Sequence, residues 1–360
     1  MKKLFTLLTL LIFAASCQQA PKKVALEWSE SKPLPKAISN NAVSAAEVDG
    51  QWFLYTFLGL ESGKTYDDVS NYSARFDIAN NSWEEIPVVP DEIGRLGSTA
   101  EYANGSIYIF GGYTVAEDGS EVSTQEVFKY DPAANTYERV ADMLLPVEDA
   151  VSLVFEDRYI YLVSGWNNTN NVSNVQMYDT QTNSWSHATP YPGPPVFGHA
   201  GGIVGNTMIL SDGVQMVVDE GEQIFNMSPG SIKGEIDPED PTTINWSRIK
   251  QHPGQARYRM AAVGVSSPVE MVVFVGGSTN PYNYNGIGYN MKPSFTENTV
   301  FGYRLDTNEW VELGEQPTAT MDHRSVARAG NEYYIIGGMV DDQKVTDLVQ
   351  KFTVEMESAN

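Results

Sequence analysis

One cysteine, Cys17, and four histidines are all that 360 residues supply of those types. A single thiol excludes an intramolecular disulfide, a thiolate metal cluster and a second thiol as nucleophile. His187, His199, His252 and His323 fall at no compact metal-binding spacing, so no metal or cofactor is expected. Basic residues are few: 23 Lys and Arg stand against 46 Asp and Glu, a formal charge of −23. That balance repels phosphate backbones and anionic lipid surfaces, and nucleic acid is excluded as a partner. The chain also lacks a Gly-x-Ser-x-Gly nucleophile elbow. Its "GGIVGN" at Gly201 sits inside a β-rich repeat and not ahead of a helix, so it is no nucleotide loop.

The amino terminus reads "MKKLFTLLTLLIFAASCQQ". Lys2 and Lys3 precede an apolar core, Leu4 to Ala15, that is too short to span a bilayer. Ala14, Ala15 and Ser16 then lead into Cys17, a pattern that resembles a bacterial lipoprotein box, though Ala14 stands where leucine is usual. The expectation is a signal over residues 1–16, lipidation at Cys17 and a short tether over 17–23. Gln18 is not the aspartate associated with inner-membrane retention. The expected address is therefore the cell envelope, on the outer membrane of a Gram-negative bacterium.

What the sequence has in abundance is repetition. Short apolar runs end in small residues at "QWFLYTFLG", "GSIYIFGG", "RYIYLVSG", "NTMILSDG", "EMVVFVGG" and "EYYIIGG". Each of the first five is followed by an aromatic–Asp turn and a second aromatic, as in "RFDIANNSW", "KYDPAANTY", "MYDTQTNSW" and "YRLDTNEW", with a degenerate "GEIDPEDPTTINW". Trp83, Tyr137, Trp185, Trp246 and Trp310 mark a period of about fifty to sixty residues, the length of one four-stranded propeller blade. Glycine pairs such as Gly111–Gly112 permit positive φ where strands end, and Asp77, Asp131, Asp179 and Asp306 cap tight turns. The marker aromatics are expected between sheets, as structure.

Apolar strand, Gly–Gly, Tyr–Asp, then Trp: this order resembles the Kelch repeat, and it recurs over nearly all of the chain after the leader. Leu58–Gly59, Ser164–Gly165 and Ser211–Asp212–Gly213 depart from the glycine pair. The resemblance implies an all-β, six-bladed propeller over residues 24–360. Its last repeat holds only three strands, while "VALEWSE" near the start has the form of a blade's outer strand. Trp28 is thus predicted to complete the final blade and close the ring, hiding edges that invite aggregation.

In Kelch-like propellers the segment leading into each innermost strand shares a face with the loop between the second and third strands. Those lead-ins carry Arg95, Glu148 and Asp149, His199, Arg257 and Arg259, and Asp322, His323 and Arg324. Convergent polar groups at the channel mouth are the expected ligand site. Two long loops, residues 214–230 and 278–298, join that face, the second bringing Tyr282, Tyr284 and Tyr289. Two outcomes are open for the charges: a site facing solvent, or salt bridges that plug the channel.

Galactose oxidase, a Kelch-type copper enzyme, needs a Tyr–Cys crosslink, which Cys17 alone cannot supply. Two functional readings remain. One is an envelope module that binds a small carbohydrate or a protein loop at the mouth. The other follows the fold-level resemblance to exported sialic acid mutarotases. It requires an arginine clamp from Arg257, Arg259 and Arg324, with Glu148 and His199 or His323 moving protons. Arg95, Asp149, Tyr282 and Tyr284 complete the expected ligand contacts.

Overall fold

Alternating strands that end in glycine or aspartate turns can bury both faces only by packing sheet on sheet. In the computed structural model, which describes residues 23–357, they do so as six four-stranded antiparallel sheets around one axis. The leader and Cys17 lie outside the described residues. From inside to outside, blade 1 comprises Ala42–Val48, Gln51–Leu60, Val69–Asp77 and Ser82–Glu85. Blade 2 comprises Thr99–Ala103, Ser106–Phe110, Val127–Asp131 and Thr136–Arg139. Blade 3 is Val151–Phe155, Tyr159–Val163, Val175–Asp179 and Ser184–Ala188. Blade 4 is Ala200–Val204, Thr207–Ser211, Ser231–Asp237 and Asp240–Ile249. Blade 5 is Ala261–Val265, Met271–Val275, Thr299–Arg304 and Glu309–Glu315.

Blade 6 takes Ala327–Ala329, Glu332–Ile336 and Val349–Glu357 from the carboxyl end, and Lys23–Glu30 from the amino end. The amino-terminal strand pairs antiparallel along its full length, with Trp28 opposite Phe352. Their ring centroids are 5.0 Å apart. The ring closes as the form of "VALEWSE" predicted.

Two sets of contacts hold blade to blade. Within its own blade the outer-strand aromatic packs on the aromatic before the Asp turn, at 5.0 Å for Phe76–Trp83, 4.9 Å for Tyr130–Tyr137, 5.0 Å for Tyr178–Trp185 and 5.1 Å for Tyr303–Trp310. In blade 4 Gly234 stands opposite Trp246, and a Cβ there would overlap the indole. Each marker also donates to a carbonyl of the preceding blade: Trp83 to Lys32, Tyr137 to Pro87, Trp185 to Ala141, Trp246 to Thr189 and Trp310 to Lys250. These aromatics are structural, as expected, and each buried one contributes on the order of 2–3 kcal/mol.

The second glycine of each pair does the complementary work near the axis. Its N–H donates to the carbonyl of the next blade's lead-in, from Gly59 to Arg95, Gly112 to Val147, Gly165 to Val196, Gly213 to Arg257, Gly277 to Thr320 and Gly338 to Ile38. All six are left-handed, and at Gly112 a methyl group would overlap Ser98 Oγ and the Leu96 carbonyl. Where the first glycine is replaced, the conformation persists: φ is 59° at Leu58, 57° at Ser164 and 62° at Asp212. Local bonds compensate for that strain. Ser164 Oγ lies 2.8 Å from the Val196 carbonyl, while Asp212 accepts from the Arg257 N–H and faces His252 Nε2 at 2.6 Å.

Candidate functional site

Two residues before each inner strand, the lead-ins of the first five blades turn through a left-handed residue: Asn40, Gly97, Asp149, Gly198 and Arg259. The sixth equivalent is Asp322, and φ over the six runs from 50° to 71°. Asn, Gly and Asp tolerate this region; Arg259 does not do so readily, and strain of this kind clusters at functional sites. The turns interlock around the axis. Asp149 N–H donates to Gly97 O, Gly198 to Asp149, and Arg259 to Gly198, at 3.0, 2.9 and 2.7 Å. His323 N–H then donates to Arg259 O and Asn40 N–H to Asp322 O. Gly97 N–H completes the circle on the side-chain oxygen of Asn40, at 2.6 Å.

Four charges from the lead-ins of three blades meet in the middle. Arg259 lies 2.6 Å from Asp149 and 3.0 Å from Asp322, and Arg324 lies 2.7 Å from Asp149 and 3.8 Å from Asp322. None of the four side chains is more than 2% exposed. Asn40 bridges them, accepting from Arg324 and donating to Asp322. Burial alone would raise the Asp149 carboxyl; Arg259 and Arg324 outweigh it and hold the group below its usual range. Two cations and two anions cancel, and the cluster plugs the channel.

Above the plug, on the loop face, lies a cavity of about 330 Å³. Asp149 and Arg259 reach it from below. Its walls come from the blade 2 ribbon Tyr113–Val115/Glu121–Ser123, from Trp166 and Asn168 of blade 3, and from the blade 4 ribbon Val214–Asp219/Glu222–Met227. Asn283 and Tyr289 of the blade 5 loop complete them. Phe225 stacks on Tyr289 at 4.0 Å and tilts against Trp166 at 5.8 Å, so the three rings form one aromatic wall of the cavity. Glu148 accepts from Ser123 Oγ at 2.9 Å. Burial, reinforced by Asp149, holds the Glu148 carboxyl well above the usual carboxylate range. Glu121 is at the exposed rim by area, yet protein crowds it closely enough to push its carboxyl up to about 6, against the pull of Arg259.

Below the plug the channel is a separate cavity of about 370 Å³, sharing no lining residue with the mouth. Its one carboxyl is Glu101, which accepts from Ser152 Oγ at 2.7 Å and is pushed up to about 7 by burial.

The sequence-derived candidates thus separate. Glu148, Asp149 and Arg259 come together at the cavity, and Arg324 lies in the plug beneath it. Arg95 and Arg257 turn away into their own blades. Arg95 binds Asp91 and the Gly111 and Glu126 carbonyls, and Arg257 the Gly276 and Thr299 carbonyls while covering Phe301. They pin strands and do not line the mouth. His199 and His323 are buried outside the cavity lining, and desolvation pushes them down to about 4 and about 3, so both are neutral at pH 7. Tyr282, expected on an exposed loop, is fully buried with its ring 5.3 Å from the Arg259 guanidinium, and Tyr284 is half-buried against the same apolar cluster. Sequence reasoning passed over Asn40, Glu121, Trp166 and Phe225. The Asn/Gly/Asp types recurring two positions before inner strands were the available signal for the first.

A family model described as Attractin/LZTR1 beta-propeller matches residues 54–349. The chain is similar to Kelch-like protein 15 of mouse (Mus musculus), with 23% identity over 278 residues covering 75% of this chain and 42% of that one. It is similar also to Kelch-like protein terF of Aspergillus terreus, with 27% identity over 228 residues, 61% of this chain and 46% of that one. This chain spans less than half the length of these relatives. Among solved structures, YjhT matches at a TM-score of 0.70 and 17% identity, covering 91% of this chain and all of that one, a likeness of fold.

Proposed function

The chain belongs to the Attractin/LZTR1 beta-propeller family, and we propose that it is an exported, lipid-anchored propeller that binds a small glycan or a protein loop in the cavity at its channel mouth. One observation carries this reading: the plug's inward charges are all paired, so the space above it is a closed-bottomed, aromatic-walled bowl and not a pore. Its volume suits a monosaccharide or one extended side chain, and aromatic faces beside amide and carboxyl groups suit a ring with hydroxyls. The pairing counts against an acidic sugar, because a carboxylate ligand would have to displace Asp149 or Asp322 from Arg259 and Arg324. The envelope address rests on Lys2, Lys3 and the residues leading into Cys17.

A second reading, sugar mutarotation, is favoured by two carboxyls at the cavity: Glu121, pushed up to about 6, and Glu148, raised well above the usual carboxylate range by burial. Isothermal titration of a monosaccharide panel into protein beginning after Cys17, with Trp166→Ala beside the wild type, tests the site. Binding by the wild type and its loss in the variant support it; equal binding by both overturns it. NMR exchange spectroscopy on any bound sugar separates binding from turnover.

A further inference from the structure

The mouth cavity has a polarity that its volume alone does not convey. Glu121, Glu148 and Asp149 all border it, against a single cation, Arg259. That cation is already shared by Asp149 and Asp322. Trp166, which pairs with Glu148 across an isolated antiparallel bridge, and Phe225 share the lining with them. Carboxyls and π-surfaces lining one recess are the chemistry that holds an ammonium group. From this geometry we infer that the ligand carries a protonated amine, as an amino sugar does, with the amine between Glu121, Glu148 and the Trp166 ring. This rests on the mouth being the binding site and adds the class of ligand.

An uncharged sugar gains hydrogen bonds but no charge attraction from the two glutamates, and an anionic one is repelled. The amine also shifts the protons of the cavity. Burial holds the Glu148 carboxyl well above the usual carboxylate range in the empty site and pushes that of Glu121 up to about 6. An arriving cation favours both ionised forms, so binding releases protons and the affinity rises with pH. The other titratable or charged groups facing these two carboxyls are Asp149, Arg259 and the phenols of Tyr113, Tyr284 and Tyr289. Burial raises all three phenols from their usual value, so they stay neutral over the range concerned.

Titration calorimetry with D-glucosamine, D-glucose and N-acetylneuraminic acid tests this. The expected order places glucosamine at least ~10-fold tighter than glucose at pH 7, equivalent to about 1.4 kcal/mol. The margin should shrink several-fold at pH 5, and buffers of different ionisation heat should report proton release. Glu121→Gln, which is at the rim and does not threaten the fold, should remove most of the margin between glucosamine and glucose. Equal affinity for glucose and glucosamine overturns the amine inference while leaving the mouth site standing. Preference for N-acetylneuraminic acid overturns it in favour of an anion site. Failure of all three sugars to bind overturns the mouth reading as well.

Discussion

Replacing Arg259 with Met probes the plug on which the rest depends. Methionine keeps length and leaves the left-handed backbone, φ 53°, no more strained than before. It removes a guanidinium 2.6 Å from Asp149 and 3.0 Å from Asp322, in a cluster no more than 2% exposed. Losing one partner of a buried ion pair costs roughly 3–5 kcal/mol. The lower end applies, because Arg324 still serves Asp149 at 2.7 Å; Asp322, at 3.8 Å from Arg324, is the anion left under-compensated. The expected loss is therefore about 3 kcal/mol at pH 7. Adding Asp322→Asn removes that anion and should restore about 1–2 kcal/mol, a non-additivity typical of contacting groups.

The pH dependence gives a second, signed check. In the wild type the Asp149 carboxyl is held below its unfolded value, about 3.9, so its contribution is present above that pH and lost as pH falls through the lower folded value. Without Arg259 the group loses the larger of the two cations that oppose its burial and rises from that depressed value. The wild-type advantage from this group is lost as pH falls below about 4, so the variant's deficit should narrow there. Urea unfolding followed by tryptophan fluorescence at several pH values measures both. A loss below ~1 kcal/mol with no pH dependence would mean a hydrated cluster and an unsealed channel.

Three further outcomes follow from the same structure. Trp28→Ala should cost about 3 kcal/mol, the low end for a tryptophan because it is half-buried, and Trp310→Ala more, since it also donates to the Lys250 carbonyl; an unchanged melting temperature for Trp28→Ala would refute closure by the first strand. Asp212→Ala strands the His252 ring, whose side chain is fully buried, and the Arg257 N–H, and should destabilise by about 3 kcal/mol by calorimetry. Cys17→Ser should abolish incorporation of a fatty-acid analogue, whereas equal labelling of both proteins, or of neither, would leave an ordinary secretory signal.

The blades were legible because their signals are local. Aromatic–Asp turns, glycine ends and a Trp one strand later each act within a few residues, and "VALEWSE" could be matched to the missing outer strand by form alone. The site was legible only in residue type. Four arginines occur in the lead-ins, but two backbone positions decide their fates: Arg95 and Arg257 precede the left-handed residue by two and point back into a blade, while Arg259 is itself left-handed and points to the axis. Pairing of Arg259 and Arg324 with Asp149 and Asp322 crosses blades over 63 residues or more in the case of Arg259, a separation at which sequence spacing carries no register. Glu121 and Trp166 belong to short ribbons whose composition differs little from ordinary turns, and only the ring geometry brings them to one cavity.

The seven tryptophans allow the central claim to be read in one spectrum. Trp166 lines the mouth cavity, Trp52 the channel below the plug, and Trp28, Trp83, Trp185, Trp246 and Trp310 lie on the outer strands. Fluorine NMR of 5-fluorotryptophan-labelled protein, titrated with D-glucosamine, should move the Trp166 resonance and leave Trp52 in place. Movement of Trp52 with Trp166 unchanged would put the ligand in the channel and contradict the account.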